Sequence, residues 1–354
     1  MKMSGALALA ALLAISACSH RSDGHDATPL TSGSPTSTAP SAAGSSVNVN
    51  SAKVLPLTSG DKVLYPVALT ADGTLVTDIM KGSTHFGVAL LDLRSGAIRR
   101  ITPATSSNDA VLNASGNSRW IVWSMSADTS LDVPHWRLYA FDRRSGRTTT
   151  VVVNRNPIEQ VAPAPVISGG SVIWSTNTPN GNSLAIYRAG LSPPSPPRLA
   201  LRDATSPYVY SNRIYLLRRH REGNVLMVAT DATFGSLRAV PGVEQVRQYV
   251  VLADGVVYLD RNDANTLFFT PTGARSSRAL TFDPGQESAE GLTAGLGVVG
   301  VNHQDVGVVD FVDAGNAVVV SSEEAANHVL VAGCNAVWQS KANGKTVARW
   351  LRFC

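Results

Sequence analysis

One unit recurs along this chain from near residue 70 almost to the C-terminus, and a repeat of this kind narrows the possible folds more than any other feature. Its clearest copy runs from Thr70 to Thr102, TADGTLVTDIMKGSTHFGVALLDLRSGAIRRIT. That stretch reads as an Ala-Asp-Gly turn, an apolar strand, a polar turn, a second apolar strand from Gly87 to Leu93, a tight turn at Ser95-Gly96 and a third strand. A small sheet with two apolar faces cannot shelter both by itself, so it must stack against copies of itself. Weaker copies begin at Gly116, Gly169, Ser211, Ala253, Gly295 and Gly333. They bring Val76, Trp123, Trp174, Tyr215, Tyr258, Gly300 and Trp338 into equivalent positions.

The interval between these positions, roughly 40 to 50 residues, is that of a four-stranded propeller blade. Seven copies predict an all-β, seven-bladed β-propeller with four-stranded antiparallel blades. Composition agrees, because 29 Gly and 19 Pro punctuate short apolar runs in a chain that is 44% hydrophobic, and long amphipathic helices are missing. One body over residues 47–354 is expected rather than several domains. The formal charge of +4 is small for the length, and no basic run carries interleaved aromatics, which argues against a nucleic-acid partner.

A second marker supports the phase. Leu91-Asp92-Leu93-Arg94-Ser95-Gly96 and Phe141-Asp142-Arg143-Arg144-Ser145-Gly146 are the same turn, each followed by a short strand. The glycine answers a need for positive φ, and the Asp or Ser side chain can bond the turn backbone. On these residues the chain resembles the TolB-like and quinoprotein-like propellers, a likeness clear in the first two blades and fading later. It implies a fold rather than a function.

Residues 1–17 read as an export signal, with Lys2 at the start and an apolar run from Ala6 to Ile15 too short to span a bilayer. Ile15-Ser16-Ala17-Cys18 resembles the lipobox of bacterial lipoproteins, which implies lipidation of Cys18 and a membrane partner reached through that anchor. The rest of 18–46 is Ser, Thr, Pro, Gly and Ala with scattered His and Asp, a composition expected to stay disordered. As a coil it would hold the body roughly 30 Å from the membrane. The expected address is the extracytoplasmic side of a cell membrane, and the body is expected to be a monomer.

A propeller must join its last blade to its first. Lys53-Val54-Leu55-Pro56-Leu57-Thr58 is similar to the outer-strand segment from Arg99 to Pro103 yet precedes the first blade, so it is expected to complete the seventh. Pro56, which cannot donate to a ladder, suits that outer edge. In the seventh blade a hairpin turning at Ala342-Asn343-Gly344-Lys345 is expected to set Val337 opposite Leu351 and therefore Cys334 opposite Cys354. Opposed strand residues lie within disulfide reach, and an exported protein keeps disulfides.

Other motifs weigh little. Gly295-Leu296-Gly297-Val298-Val299-Gly300 matches a dinucleotide-binding pattern but is followed by more strand, not a helix. The histidines His20, His25, His85, His135, His220, His303 and His328 occur singly, without zinc spacing. The oxygen-rich run from Asp260 to Asn265 lacks the glycine and terminal glutamate of a calcium loop and reads as a hairpin turn. Asp72, Asp254, Asp305, Glu323 and Glu324 could point into a central funnel, although Asp72 and Asp254 sit in Asp-Gly turns. Arg218-Arg219-His220-Arg221 is expected to cap one end of the fourth blade, and the six tryptophans to pack between blades.

No catalytic residue, metal site or cofactor is therefore assigned. The sequence favours a lipid-anchored propeller that binds a protein, glycan or small ligand of the cell envelope, or scaffolds it. An envelope hydrolase or lyase with residues dispersed around the funnel is the alternative, and a purely structural envelope role is the third.

Overall fold

The computed structural model describes residues 47–354 apart from 56, 104–108, 127–134, 155–161, 182, 264, 283–288, 290, 304–307, 315–317, 325 and 343–344. The leader, Cys18, the tether, Pro56 and Asp305 lie outside the described residues, as does the Asn343-Gly344 turn. The described strands form seven antiparallel sheets, the blades of a seven-bladed β-propeller. The seven equivalent positions all fall on the second strand of a blade, from Val76 in Thr74–Lys81 to Trp338 in Asn335–Ala342. The repeat phase was therefore a strand phase.

Each innermost strand touches the next around the ring, and the last, Ala326–Ala332, touches the first, Lys62–Leu69. Each gap between neighbouring blades holds its own apolar core. Trp123 and Phe141 of blade 2 meet Val76, Val88 and Leu90 of blade 1, and Phe311 of blade 6 meets Trp338 of blade 7. Trp123, Trp174 and Trp338 are fully buried, with Trp123 stacked on Tyr139 and Trp174 on Tyr187 across the sheet. Among the described residues their indole N–H groups meet no acceptor, a cost of about 1–3 kcal/mol each. Burying some 150–250 Å² of ring offsets it. Blade 6 has Gly300 at this phase because a Cβ there would lie 2.7 Å from Val329. Phe311, directly opposite Gly300, fills the gap instead.

The N-terminal strand closes the ring. Lys53, Val54 and Leu55 pair with Trp350, Arg349 and Ala348, making the outer strand of blade 7. Ahead of it, Val47 and Val49 are buried in the core between blades 6 and 7, around a short 3₁₀ turn, Val49–Ser51, capped by the Asn48 side chain. The expected closing segment is split, however. Thr58–Ser59 pairs with Val63 and Lys62 and gives blade 1 a fifth strand.

The last hairpin corrects the expected register by one residue. Val337 faces Trp350 and Trp338 faces Arg349, because the two-residue connection pairs Ala342 with Lys345. A slip of one residue turns a side chain to the other face of its sheet. With the observed register Trp338 enters the gap between blades 6 and 7, and Trp350 packs toward blade 1. Cys334 thus stands opposite Phe353, whose N–H donates to the Cys334 carbonyl at 3.0 Å. The ladder ends at Arg352, and the chain beyond it brings Cys354 back to a Cα separation of 5.3 Å from Cys334, a disulfide-capable pair. Non-reducing mass spectrometry is expected to find the two thiols joined. Cys334→Ser is expected to lower stability by about 3 kcal/mol in denaturant titration.

Candidate functional site

The chemistry-bearing side chains divide into those that tie the ring together and those left facing solvent. Aspartate turns come first. The Asp92 carboxylate accepts from the Ser95 N–H at 2.8 Å and the Arg94 N–H at 3.0 Å, with Gly96 at φ +72°. The Ser95 N–H bond is the main reason that this carboxyl sits below its ordinary pKa. Asp72 binds the Thr70 hydroxyl and also Arg143 of blade 2 at 2.7 Å, while Arg143 reaches Thr74 and the Asn117 carbonyl. A turn aspartate of one blade is thereby fastened to the next.

Two histidines are held by carboxylates. His85 Nδ1 lies 2.6 Å from Asp78, and the Val111 N–H of blade 2 donates to the same Asp78 oxygen at 3.2 Å. In blade 6 the buried His303 lies 3.2 Å from Asp310 and edge-on to Phe282. Ser322 donates to the other Asp310 oxygen at 2.5 Å. Serine and histidine both contact the acid rather than each other, which is not the order that activates a serine nucleophile. The sequence does not reveal these pairs, because the partners sit on neighbouring strands with no fixed spacing.

The funnel wall is buckled. The ladders of the innermost strands shift register in blades 1, 2, 4, 5 and 7, and such bulges re-aim side chains. In blade 7 the bulge leaves His328 at φ +52°, and in blade 4 it leaves Ser206 at φ +51°. Both are sparsely populated conformations for residues other than glycine. The His328 N–H is held by Asn302 at 3.1 Å, and its Nε2 meets the Tyr65 hydroxyl of blade 1 at 2.5 Å. Burial pushes Tyr65 up to about 12 and pulls His328 below its ordinary value. Both are thus neutral at pH 7, and they share one hydrogen bond.

The remaining expectations can be placed directly. Glu323 and Glu324 belong to the outermost strand of blade 6, Val318–Glu324, and not to the funnel wall. Asp260 and Asp263 accept from the N–H groups of Asn262 and Asn265, as hairpin-turn residues do. Gly295 to Gly300 form a turn and the start of the strand Val298–His303, with no helix. No group of three or more metal-ligating side chains occurs among the described residues. His20 and His25 lie outside them.

Arg218, Arg219 and His220 end the second strand of blade 4, as expected, and they line a cleft of about 640 Å³ at the edge of that blade. Half-buried Val225 and Met227 also line it, Met227 packing on the core between blades 3 and 4, together with Glu222 and with Glu244 and Gln245 of the connection to blade 5. The cleft was not legible in the sequence, because it needs Glu244 and Gln245, which the chain brings back beside Gly223.

The architecture is that of a seven-bladed β-propeller. No family model matches the sequence, and no curated protein matches it. Among solved structures the fold is similar to a prolyl endopeptidase (TM-score 0.58, 9% identity, 82% of this chain), of which the chain spans 50% of the length. It is also similar to an oligogalacturonate lyase in complex with manganese (TM-score 0.54, 10% identity, 84% of this chain and 92% of that one). A third is the AfRom2 CNH domain (TM-score 0.54, 10% identity, 86% and 99%). At these identities the likeness establishes the fold alone.

The funnel wall gives a pH prediction. Because His328 has a depressed pKa when folded, acidification below about 6.5 protonates the unfolded chain first. Stability is full above that pH and falls below it. The melting temperature is expected to drop between pH 7 and 5, and His328→Asn to make that drop smaller.

Proposed function

We propose that this protein is a lipid-anchored, extracytoplasmic propeller that binds a ligand or partner of the cell envelope rather than transforming it. One observation carries the reading: the side chains best suited to acid, base or nucleophilic work are engaged in holding the ring. Asp72 is bound by Arg143, Asp78 by His85, Asp310 by Ser322 and His328 by Tyr65. Rigid rings with many loops and no convergent chemistry suit recognition. The leader, the Cys18 lipobox and the tether supply the address, and the two Asp-x-x-Ser-Gly turns support a TolB-like or quinoprotein-like origin.

An envelope hydrolase or lyase is the second reading. It draws on the strained His328 beside Tyr65 and Asn302 at the funnel wall, since strain of this kind clusters at active sites. Detergent-phase partitioning and affinity capture from membranes of the native host test the proposal. The chain is expected to partition with detergent, to lose that behaviour on Cys18→Ser, and to retain a partner in fixed stoichiometry. Aqueous partitioning of the unchanged chain would contradict the anchor, and turnover of an envelope polymer lost in Tyr65→Phe would favour the enzyme.

A further inference from the structure

The two faces of the ring carry different charge, and strand direction shows which is which. Within each blade the first and third strands run one way and the second and fourth the other, so every outermost strand starts on the face that carries the Asp72 and Asp92 turns. Lys53–Leu55 runs antiparallel to Lys345–Arg352 and so takes the fourth-strand direction in blade 7. The chain therefore enters the ring on that same face, through Val47 and Val49 just ahead of Lys53. In blades 7, 2, 3, 4 and 5 the outermost strand begins with a basic residue: Lys53, Arg147, Arg198, Arg238 and Arg278. All of these are exposed. Blades 1 and 6 begin theirs with Ile98 and Val318.

The acids of this face are mostly engaged. Asp92, Asp142 and Asp231 accept from the turn N–H groups of Ser95, Arg144 and Thr233, and Asp72 is bound by Arg143. Asp254 and Asp313 are the other acidic side chains in its described turns. Arg147, Arg198 and Arg238 make no side-chain ion pair or hydrogen bond among the described residues. Signs mix on the opposite face, where Lys81 pairs with Asp61 and Arg221 and Arg261 share turns with Glu222, Asp260 and Asp263. The basic face also presents one apolar tip. Leu296, in the turn between Ala294 and Val298, is 55% exposed. Its N–H is held by the Gly333 carbonyl of blade 7 at 2.9 Å, and Val298 shares a core with Val47, so this side chain stands close to the point where the chain enters.

We propose that this face docks on an anionic phospholipid bilayer, with the rim cations against lipid phosphates and Leu296 in the apolar boundary. The proposal rests on the lipid-anchor reading and adds to it the side that meets the membrane. Residues 18–46 separate Cys18 from Val47, and as a coil they would span roughly 30 Å. The anchor thus holds the entry face within reach of the bilayer, and charge decides that it settles there. An anionic surface attracts basic side chains within about a Debye length, ~10 Å at 0.1 M salt. Guanidinium forks match phosphate oxygens. The five rim cations come from five different blades, a spread that suits a plane of headgroups better than one small anion. An apolar tip beside basic residues is the combination that seats a surface at the headgroup boundary. The opposite mouth of the funnel then points away from the membrane, toward partners in the envelope.

The test uses the full chain carrying Cys18→Ser, so that no acyl chain contributes, and its sedimentation with vesicles of phosphatidylcholine alone or mixed equally with phosphatidylglycerol. Binding to the mixed vesicles is expected to be at least about tenfold tighter than to the neutral ones, and to fall as salt is raised. Arg147→Glu, Arg198→Glu and Arg238→Glu combined are expected to remove that preference, and Leu296→Asp to weaken binding severalfold, with the melting temperature unchanged in both. Arg221→Glu with Arg261→Glu, on the opposite face, is expected to leave binding as it was. Equal binding to the two kinds of vesicle, no response to salt, a combined variant that binds as before, or an opposite-face pair that loses as much would overturn the proposal. Equal affinity for soluble polyphosphate would also overturn it, since that would mark a site for a free polyanion. If the vesicle preference fails while the unchanged chain still partitions with detergent, the anchor stands and the docked face does not.

Discussion

Three residues of backbone pairing decide whether this chain is a ring or an open row of sheets. Lys53, Val54 and Leu55 lie along Ala348, Arg349 and Trp350, and through them the first described strand completes the last blade. Because each blade packs only on its neighbours, an unclosed row would leave the facing surfaces of blades 7 and 1 wet. Leu55, Val337 and Ala348 on one side, and Leu75, Leu91 and Leu93 on the other, are the residues that would lose their cover. So short a ladder needs support. It comes from Val47 and Val49 wedged between blades 6 and 7, and from the Cys334 and Cys354 pair at the end of the neighbouring hairpin.

Much of this was legible because propeller architecture repeats in sequence. The aromatic of the second strand and the Asp-x-x-Ser-Gly turn mark strand phase without knowledge of any contact. The closing strand was legible as an outer-strand sequence found out of place. Register was less so: the Val337–Leu351 pairing expected for the last hairpin was one residue out, although the cysteine pair came within reach all the same. Chain beyond a ladder is free to bend, and spacing alone does not describe that bend.

The polar pairs were not legible at all. Tyr65 and His328 are 263 residues apart and meet only because the ring closes. Asp72 was read correctly as a turn residue, yet its bond to Arg143 joins two blades and follows from the curvature of the ring rather than from either turn. The cleft of blade 4 was hidden for a different reason. The basic run at Arg218 was visible, but the cleft beside it also needs Glu244 and Gln245, which the chain returns to the side of Gly223. A return of this kind leaves no motif.

Stability and recognition thus draw on different parts of the same repeat. Apolar second strands and their carboxylate and imidazole partners hold the blades in register, while departures from the repeat open surfaces to solvent. The most direct measurement of the central claim compares thermal unfolding of the chain beginning at residue 47 with that of the chain beginning at residue 57. Closure by the N-terminal strand predicts one cooperative transition for the longer chain. It predicts a melting temperature at least about 5 °C lower, or a broadened transition, for the shorter one. Identical transitions for the two would contradict it.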